Sequence, residues 1–208
     1  MKPTFTYTAI GDSLTHGSGT LFGRGFTKPY AQQLEKIYRK PVITRVHAKP
    51  GITSGELLHL IQNPNVQKDL YHADLITVTI GGNDALQAHR HFLTNYDPQI
   101  YKQALNQLRK NLDYLLSQIR SLKISQPFYI IQLVGLYNPY PHLPYSDKLV
   151  NDFNLVIRSF TYQNMIYIDL HTPFSHMNSR NLLIGVHPNR KGYRVISSHL
   201  VQSLYQLS

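Results

Sequence analysis

The chain has no cysteine among its 208 residues. That excludes disulfides, thiolate metal sites and a cysteine nucleophile, and it leaves the redox compartment undecided. It also lacks any apolar run of the roughly 18 residues that a membrane-spanning helix needs. The stretch Met1–Ile10 carries one lysine and no long apolar segment, so it does not read as a secretory signal. With the chain taken as complete, the expected location is the cytoplasm. Acidic residues are scarce, 11 against 21 Lys and Arg, and the formal net charge is +10. Such an excess can favour anionic partners. Yet the basic residues are scattered and cluster only in pairs such as Arg39-Lys40, Arg109-Lys110 and Arg190-Lys191. No nucleic-acid partner is expected from that pattern, while transient contact with a lipid surface stays open. The histidines are dispersed too. His89 and His91 form an i,i+2 pair without a carboxylate motif beside it, so neither a metal nor another cofactor is expected.

What is present suits a folded globule. Hydrophobic residues make up 42% and charged residues 15%, and the length suits one domain over residues 1–208. Apolar runs at Phe5–Ile10, Val42–Ala48, Asp74–Ile80, Phe128–Val134 and Met165–Leu170 read as five strands. They are continuous rather than alternating, as strands buried on both faces are. Between them lie helical patterns: one from Pro29, a short one with Ser54 as N-cap, and a long one from Asp97-Pro98 to about Ser121. Two more cover roughly Asp147–Tyr162 and the chain from near Pro188. The segment between Leu170 and Gly185 reads as irregular. Strand–helix alternation without repeats or linkers predicts one three-layer α/β/α domain around a parallel sheet.

Four short blocks fall at ends of these strands or in the last loop: Gly-Asp-Ser-Leu at 11–14, Thr-Ser-Gly-Glu at 53–56, Gly-Gly-Asn-Asp at 81–84 and His-Pro-Asn at 187–189. An open parallel sheet gathers function at the carboxyl ends of its strands, so these blocks are expected to converge. Ser13 offers a nucleophile and His187 a base to activate it. The Ser13 amide, the Gly55 amide and the Asn83 side chain offer three donors for an oxyanion. Each block alone has a plainer reading, Ser13 as a helix N-cap and Gly81–Asp84 as a tight turn. The loops lack both the GxGxxG and the P-loop pattern, which argues against a nucleotide- or flavin-binding module.

This arrangement resembles the SGNH, or GDSL, hydrolase superfamily over nearly the whole chain, with the flavour of the small bacterial lipase/acylhydrolase branch. The resemblance implies a flavodoxin-like sheet of about five parallel strands in order 2-1-3-4-5 and an open, metal-free site. It implies that Ser13 is the nucleophile, His187 the base, and Ser13, Gly55 and Asn83 the oxyanion hole. Asp12 and Asp84 match family aspartates and are read as acceptors that organise their loops. The departure is at Ile184, where the family places its acid three residues before the histidine. Either a backbone carbonyl of the 182–185 loop orients His187 in a Ser–His dyad, or a remote carboxylate does, with Asp169 the nearest candidate. A third reading is a weakened relative that binds without cleaving. The expected function is a serine carboxylic-ester hydrolase acting on small or medium acyl esters or lysophospholipids. A carbohydrate O-acetylesterase is the alternative. The Tyr/Pro-rich segment Leu136–Tyr145 reads equally as an aromatic wall beside the substrate and as a rigid surface connection shaped by its prolines. Gly17–Phe26 reads as a flap over Ser13 or simply as a long loop.

Overall fold

The five apolar runs form one parallel sheet in the computed structural model, which describes residues 2–20, 25–126, 128–177 and 181–205. Its strands are β1 (Phe5–Gly11), β2 (Val42–Ala48), β3 (Leu75–Thr79), β4 (Ile130–Val134) and β5 (Met165–Ile168), in the order β2-β1-β3-β4-β5. All four pairings are parallel, with Gly11 opposite both Ala48 and Thr79. The central β3 is buried along its whole length, whereas the edge strand β2 leaves Ile43 and Val46 exposed. Edge position, not composition, separates the two.

Nine α-helices occur among the described residues: α1 (Ser13–His16), α2 (Thr27–Tyr38), α3 (Ser54–Leu60), α4 (Pro64–His72), α5 (Gly82–Asn95), α6 (Gln99–Leu122), α7 (Ser146–Arg158), α8 (His171–His176) and α9 (Arg190–Leu204). They cover both faces of the sheet and make two cores. One joins Ile10, Ile76, Val78 and Leu133 to Leu57 of α3, Leu70 of α4, Leu112 and Leu116 of α6 and Phe153 of α7. The other joins Tyr7, Ala9 and Val134 to Tyr30 and Leu34 of α2, Phe174 of α8 and Ile196 and Leu200 of α9. Alternate residues of one strand enter opposite cores, as the two-residue period of a strand requires. No helix among the described residues is long and apolar enough to cross a membrane.

Four helices go beyond the sequence reading. α1 begins at Ser13 itself, whose plainer reading is a cap, and α5 begins inside the Gly81–Asp84 block, whose plainer reading is a tight turn. α4 starts from an Asn63 cap with Pro64 at its first position, a start signal present in the sequence. The stretch after Leu170 is not irregular, because it holds α8 and the two-stranded β6 (Leu183–Ile184) and β7 (His187–Pro188). The cap of α3 is Thr53 rather than Ser54, in a capping box with Glu56. The Glu56 carboxylate reaches back to the Thr53 amide at 2.8 Å, which frees Ser54 for another partner. Of the glycine-rich segment Gly17–Phe26, residues 21–24 lie outside the described residues. Phe26 is buried in the second core and is no part of a flap.

Candidate active site

β1 ends at Gly11, whose φ of +146° and lack of a Cβ let it lie against the Thr79 carbonyl and hydroxyl. Asp12 follows and caps α1, its carboxylate accepting from the Leu14 amide at 3.0 Å and the Thr79 hydroxyl at 2.9 Å. Thr79 also bonds Thr15. Ser13 is thus the first residue of a short helix whose entry is fastened to β3, not the cap itself. Asp12 is buried, and burial first of all, with the nearby charge of Asp84 adding to it, pushes its pKa up to about 6.

The other two blocks are tied to each other by Asp84. Its carboxylate accepts from the Ser54 amide at 3.0 Å and from the Ser54 hydroxyl, which also accepts from Asn111 at 2.8 Å. That joins the start of α5 to the start of α3. Asn83 sits in the first turn of α5 and donates one amide hydrogen to the Ile52 carbonyl at 2.8 Å. Its second hydrogen has no acceptor among the described residues. The Ser13 and Gly55 amides lie in the first turns of α1 and α3, and neither has an acceptor among the described residues. First-turn amides have no partner within their own helix, so these two are available to an oxygen from outside. A Cβ on Gly55 would meet only Asn111, at 3.6 Å.

His187 arrives on a β-hairpin. Ile184 pairs with His187 and Leu183 with Pro188, and the two-residue turn has Gly185 at φ +61°, as a turn of the II′ kind requires. Asn189 closes the base, its amide donating to Leu182 and its side chain capping α9 through the Lys191 and Gly192 amides. At the tip, the Tyr137 hydroxyl donates to the Val186 carbonyl at 2.6 Å. Residues 17–19 lead from the end of α1 onto this strand. The Ser18 amide donates to the Ser13 carbonyl, and the Ser18 carbonyl accepts from Tyr193 of α9 at 2.7 Å. A Cβ on Gly19 would lie 2.8 Å from the His187 Cβ. The helix that begins at Ser13 and the strand that bears His187 are therefore neighbours.

Partial burial lowers the pKa of His187, and no charged group contributes to that shift. Its ring has no hydrogen-bond partner among the described residues. The Leu182 and Val186 carbonyls are already used, by Asn189 and Tyr137. Asp169 accepts from the His171 and Thr172 amides at the start of α8. Thus the structure brings Ser13, Gly55, Asn83 and His187 to one edge of the sheet and holds Asp12 and Asp84 as fasteners, but among the described residues no carboxylate is hydrogen-bonded to His187. Thr79 and Tyr193 are supporting residues that sequence reasoning missed, while Tyr137, read from sequence as part of a substrate-side aromatic loop, ties the His187 hairpin instead. Only a shared fold puts them beside the four blocks. No group of three or more His, Asp or Glu side chains among the described residues is placed to hold a metal ion.

Beside Gly55 a groove of about 560 Å³ runs between α5 and α6. Its walls carry Gln87, Gln103, Gln107 and Asn111, over Ala88 and Ala104.

Comparison with known proteins agrees with this fold. The chain is 33% identical to the spore germination lipase LipC of Bacillus licheniformis, over 95% of both chains. The crystal structure of the lipase Lip_vut3, from a goat rumen metagenome, superposes with a TM-score of 0.90 at 32% identity, covering 95% of this chain and 96% of that one. An acetylxylan esterase from Geobacillus stearothermophilus shares the fold, with a TM-score of 0.69 at 17% identity over 95% and 93% of the two chains. Residues 9–195, which contain all four blocks, match the GDSL-like lipase/acylhydrolase family, so the chain belongs to that family and is a hydrolase of ester bonds.

Proposed function

We propose that the protein cleaves carboxylic esters through an acyl-serine intermediate. Ser13 attacks the ester carbonyl while His187 takes its proton, then returns it to the leaving alcohol. The Ser13 amide, the Gly55 amide and the spare Asn83 hydrogen receive the oxyanion. Water then releases the acyl group by the same path, and a Ser–His dyad carries both halves. The observation that supports this reading is the set of three unpaired donors at the starts of α1, α3 and α5. Their gathering at three neighbouring helix starts on one edge of the sheet is what stabilising a single oxyanion asks for.

Small or medium acyl esters, with lysophospholipids among them, are the favoured substrates. The lipase names of both relatives at about one-third identity support that choice. So do the exposed Leu143 and Ile184, the latter on the His187 hairpin. The carboxamide-lined groove beside Gly55 favours a second reading, an acetylated carbohydrate whose hydroxyls would pair with Gln and Asn side chains.

Hydrolysis of p-nitrophenyl acetate by the wild type and by Ser13→Ala tests the mechanism. Turnover that disappears in the variant supports it, and equal rates in both defeat it. A chain-length series set against acetylated sugars decides between the substrates. Activity on sugars alone would reverse their order.

A further inference from the structure

In the family pattern the base is oriented by a carboxylate three residues upstream, and here that residue is Ile184. Something else must hold the imidazole, because an unoriented base loses the geometry that makes proton transfer to and from the reacting oxygen efficient. The imidazole itself has no polar partner among the described residues. Its backbone is held at two points. Asn189 secures the base of the hairpin, and Tyr137 secures its tip through the carbonyl of Val186, the residue before His187.

Tyr137 is well suited to this. It lies three residues beyond the end of β4, and its ring stacks on Phe174, with centroids 4.5 Å apart and planes 16° from parallel. Phe174 is buried in the core under α8. The hydroxyl therefore stands on a rigid platform, and its 2.6 Å bond is at the short end for O–H···O. A two-residue turn without such a tie is open to motion at its tip.

We propose that Tyr137 is a positioning residue for His187: by holding the Val186 carbonyl it fixes the hairpin that carries the base, and so performs through the backbone the orienting task left vacant at position 184. The proposal rests on the Ser13–His187 reading above. It differs from a merely structural role in one consequence. If the tie replaces the acid, restoring an acid makes the tie dispensable.

The test is a double-mutant cycle of Tyr137→Phe and Ile184→Asp with p-nitrophenyl acetate, each variant checked by its melting temperature. Phenylalanine keeps the stack on Phe174 and removes only the hydroxyl. In the native background kcat is expected to fall roughly ten-fold while KM changes by less than about two-fold, as for an interaction that serves only the transition state. In the Ile184→Asp background the same substitution is expected to cost less than about two-fold, since coupled groups are non-additive. An unchanged kcat for Tyr137→Phe, or an equal loss in both backgrounds, overturns the proposal.

A second measurement needs no turnover: NMR titration of His187 in Ser13→Ala and in Ser13→Ala/Tyr137→Phe. Release of the tip lets water reach the ring, so its pKa is expected to rise towards that of a free histidine. Identical titrations overturn the proposal even if the esterase reading has failed. Turnover that is insensitive to Ser13→Ala sinks that reading and the catalytic role it lends Tyr137, whereas the titration alone reports whether Tyr137 holds the hairpin.

Discussion

Ile184 and His187 face each other across the two-residue turn of the β6–β7 hairpin. Directly paired residues of an antiparallel ladder carry their Cβ atoms about 4.5–5.5 Å apart on one face. A carboxylate at 184 would then stand beside the imidazole, so the vacancy is one of chemistry and not of place. Ile184 is 63% exposed, so Ile184→Asp should leave the fold intact. It is expected to raise kcat at pH 8 about ten-fold or more, within the ~10⁴ that loss of the acid costs a triad studied elsewhere. The new charge also stabilises the imidazolium and raises its pKa. Because His187 works in its neutral form under the proposed mechanism, the acid limb of the kcat/KM profile should move to higher pH. Unchanged rates across pH would show that a carboxylate there cannot reach the ring.

In the native protein the shift runs the other way. Partial burial lowers the pKa of His187, so its neutral form persists to lower pH than a free histidine's. The acid limb of kcat/KM is expected below the ordinary value of about 6.5. A limb above it would require a negative charge near the ring.

One carboxylate oxygen of Asp169, Oδ1, accepts from the amides of His171 and Thr172. Asp169→Ala should therefore cost stability, about 1 kcal/mol as for a lost cap, and change turnover by less than about three-fold. A loss of most activity in a folded variant would instead make Asp169 the remote acid.

Asn83 is expected to behave in the opposite way. Asn83→Ala removes one of the proposed oxyanion donors, for which kcat should fall about 10²–10³-fold with little change in KM. It also strips the Ile52 carbonyl of its partner, worth about 1 kcal/mol in denaturant unfolding. A drop in stability without a drop in kcat would confine Asn83 to the structural role.

Asp12 has a pKa raised by burial from 3.8 to about 6. Between those values the folded state binds more protons than the unfolded one, so stability falls as pH rises through the interval and the full cost remains above pH 6. Two units correspond to at most ~3 kcal/mol. Asp12→Asn keeps an oxygen for the Leu14 amide and the Thr79 hydroxyl and cannot ionise. Unfolding at pH 4 and pH 7 should show the decline in the native protein and much less of it in the variant. Equal declines would assign it to another group.

The fold was largely legible because its signals are local. β2 and the start of β5 fall where the apolar runs begin, and the buried leucines of α6 keep a helical spacing from Leu108 to Ile119. The helices that escaped reading begin inside chemical blocks or are short. In the Gly81–Asp84 block, two glycines speak for a turn while the helix that follows depends on packing against α6 and α7. The four site blocks were legible because each sits beside a strand end or the last helix, where the topology of a parallel sheet sends it to one edge.

The sequence by itself determined the alternation of strands and helices, the four blocks and the vacancy at Ile184, since all of these are matters of residue type and spacing along the chain. Only the tertiary structure decided which groups have partners. Asp169 holds the start of α8 through Oδ1, the Val186 carbonyl is held by a tyrosine 49 residues away, and the Ser13 and Gly55 amides find no acceptor among the described residues. Hydrogen bonding depends on distance and direction between groups that folding alone brings together, and no spacing along the chain encodes either.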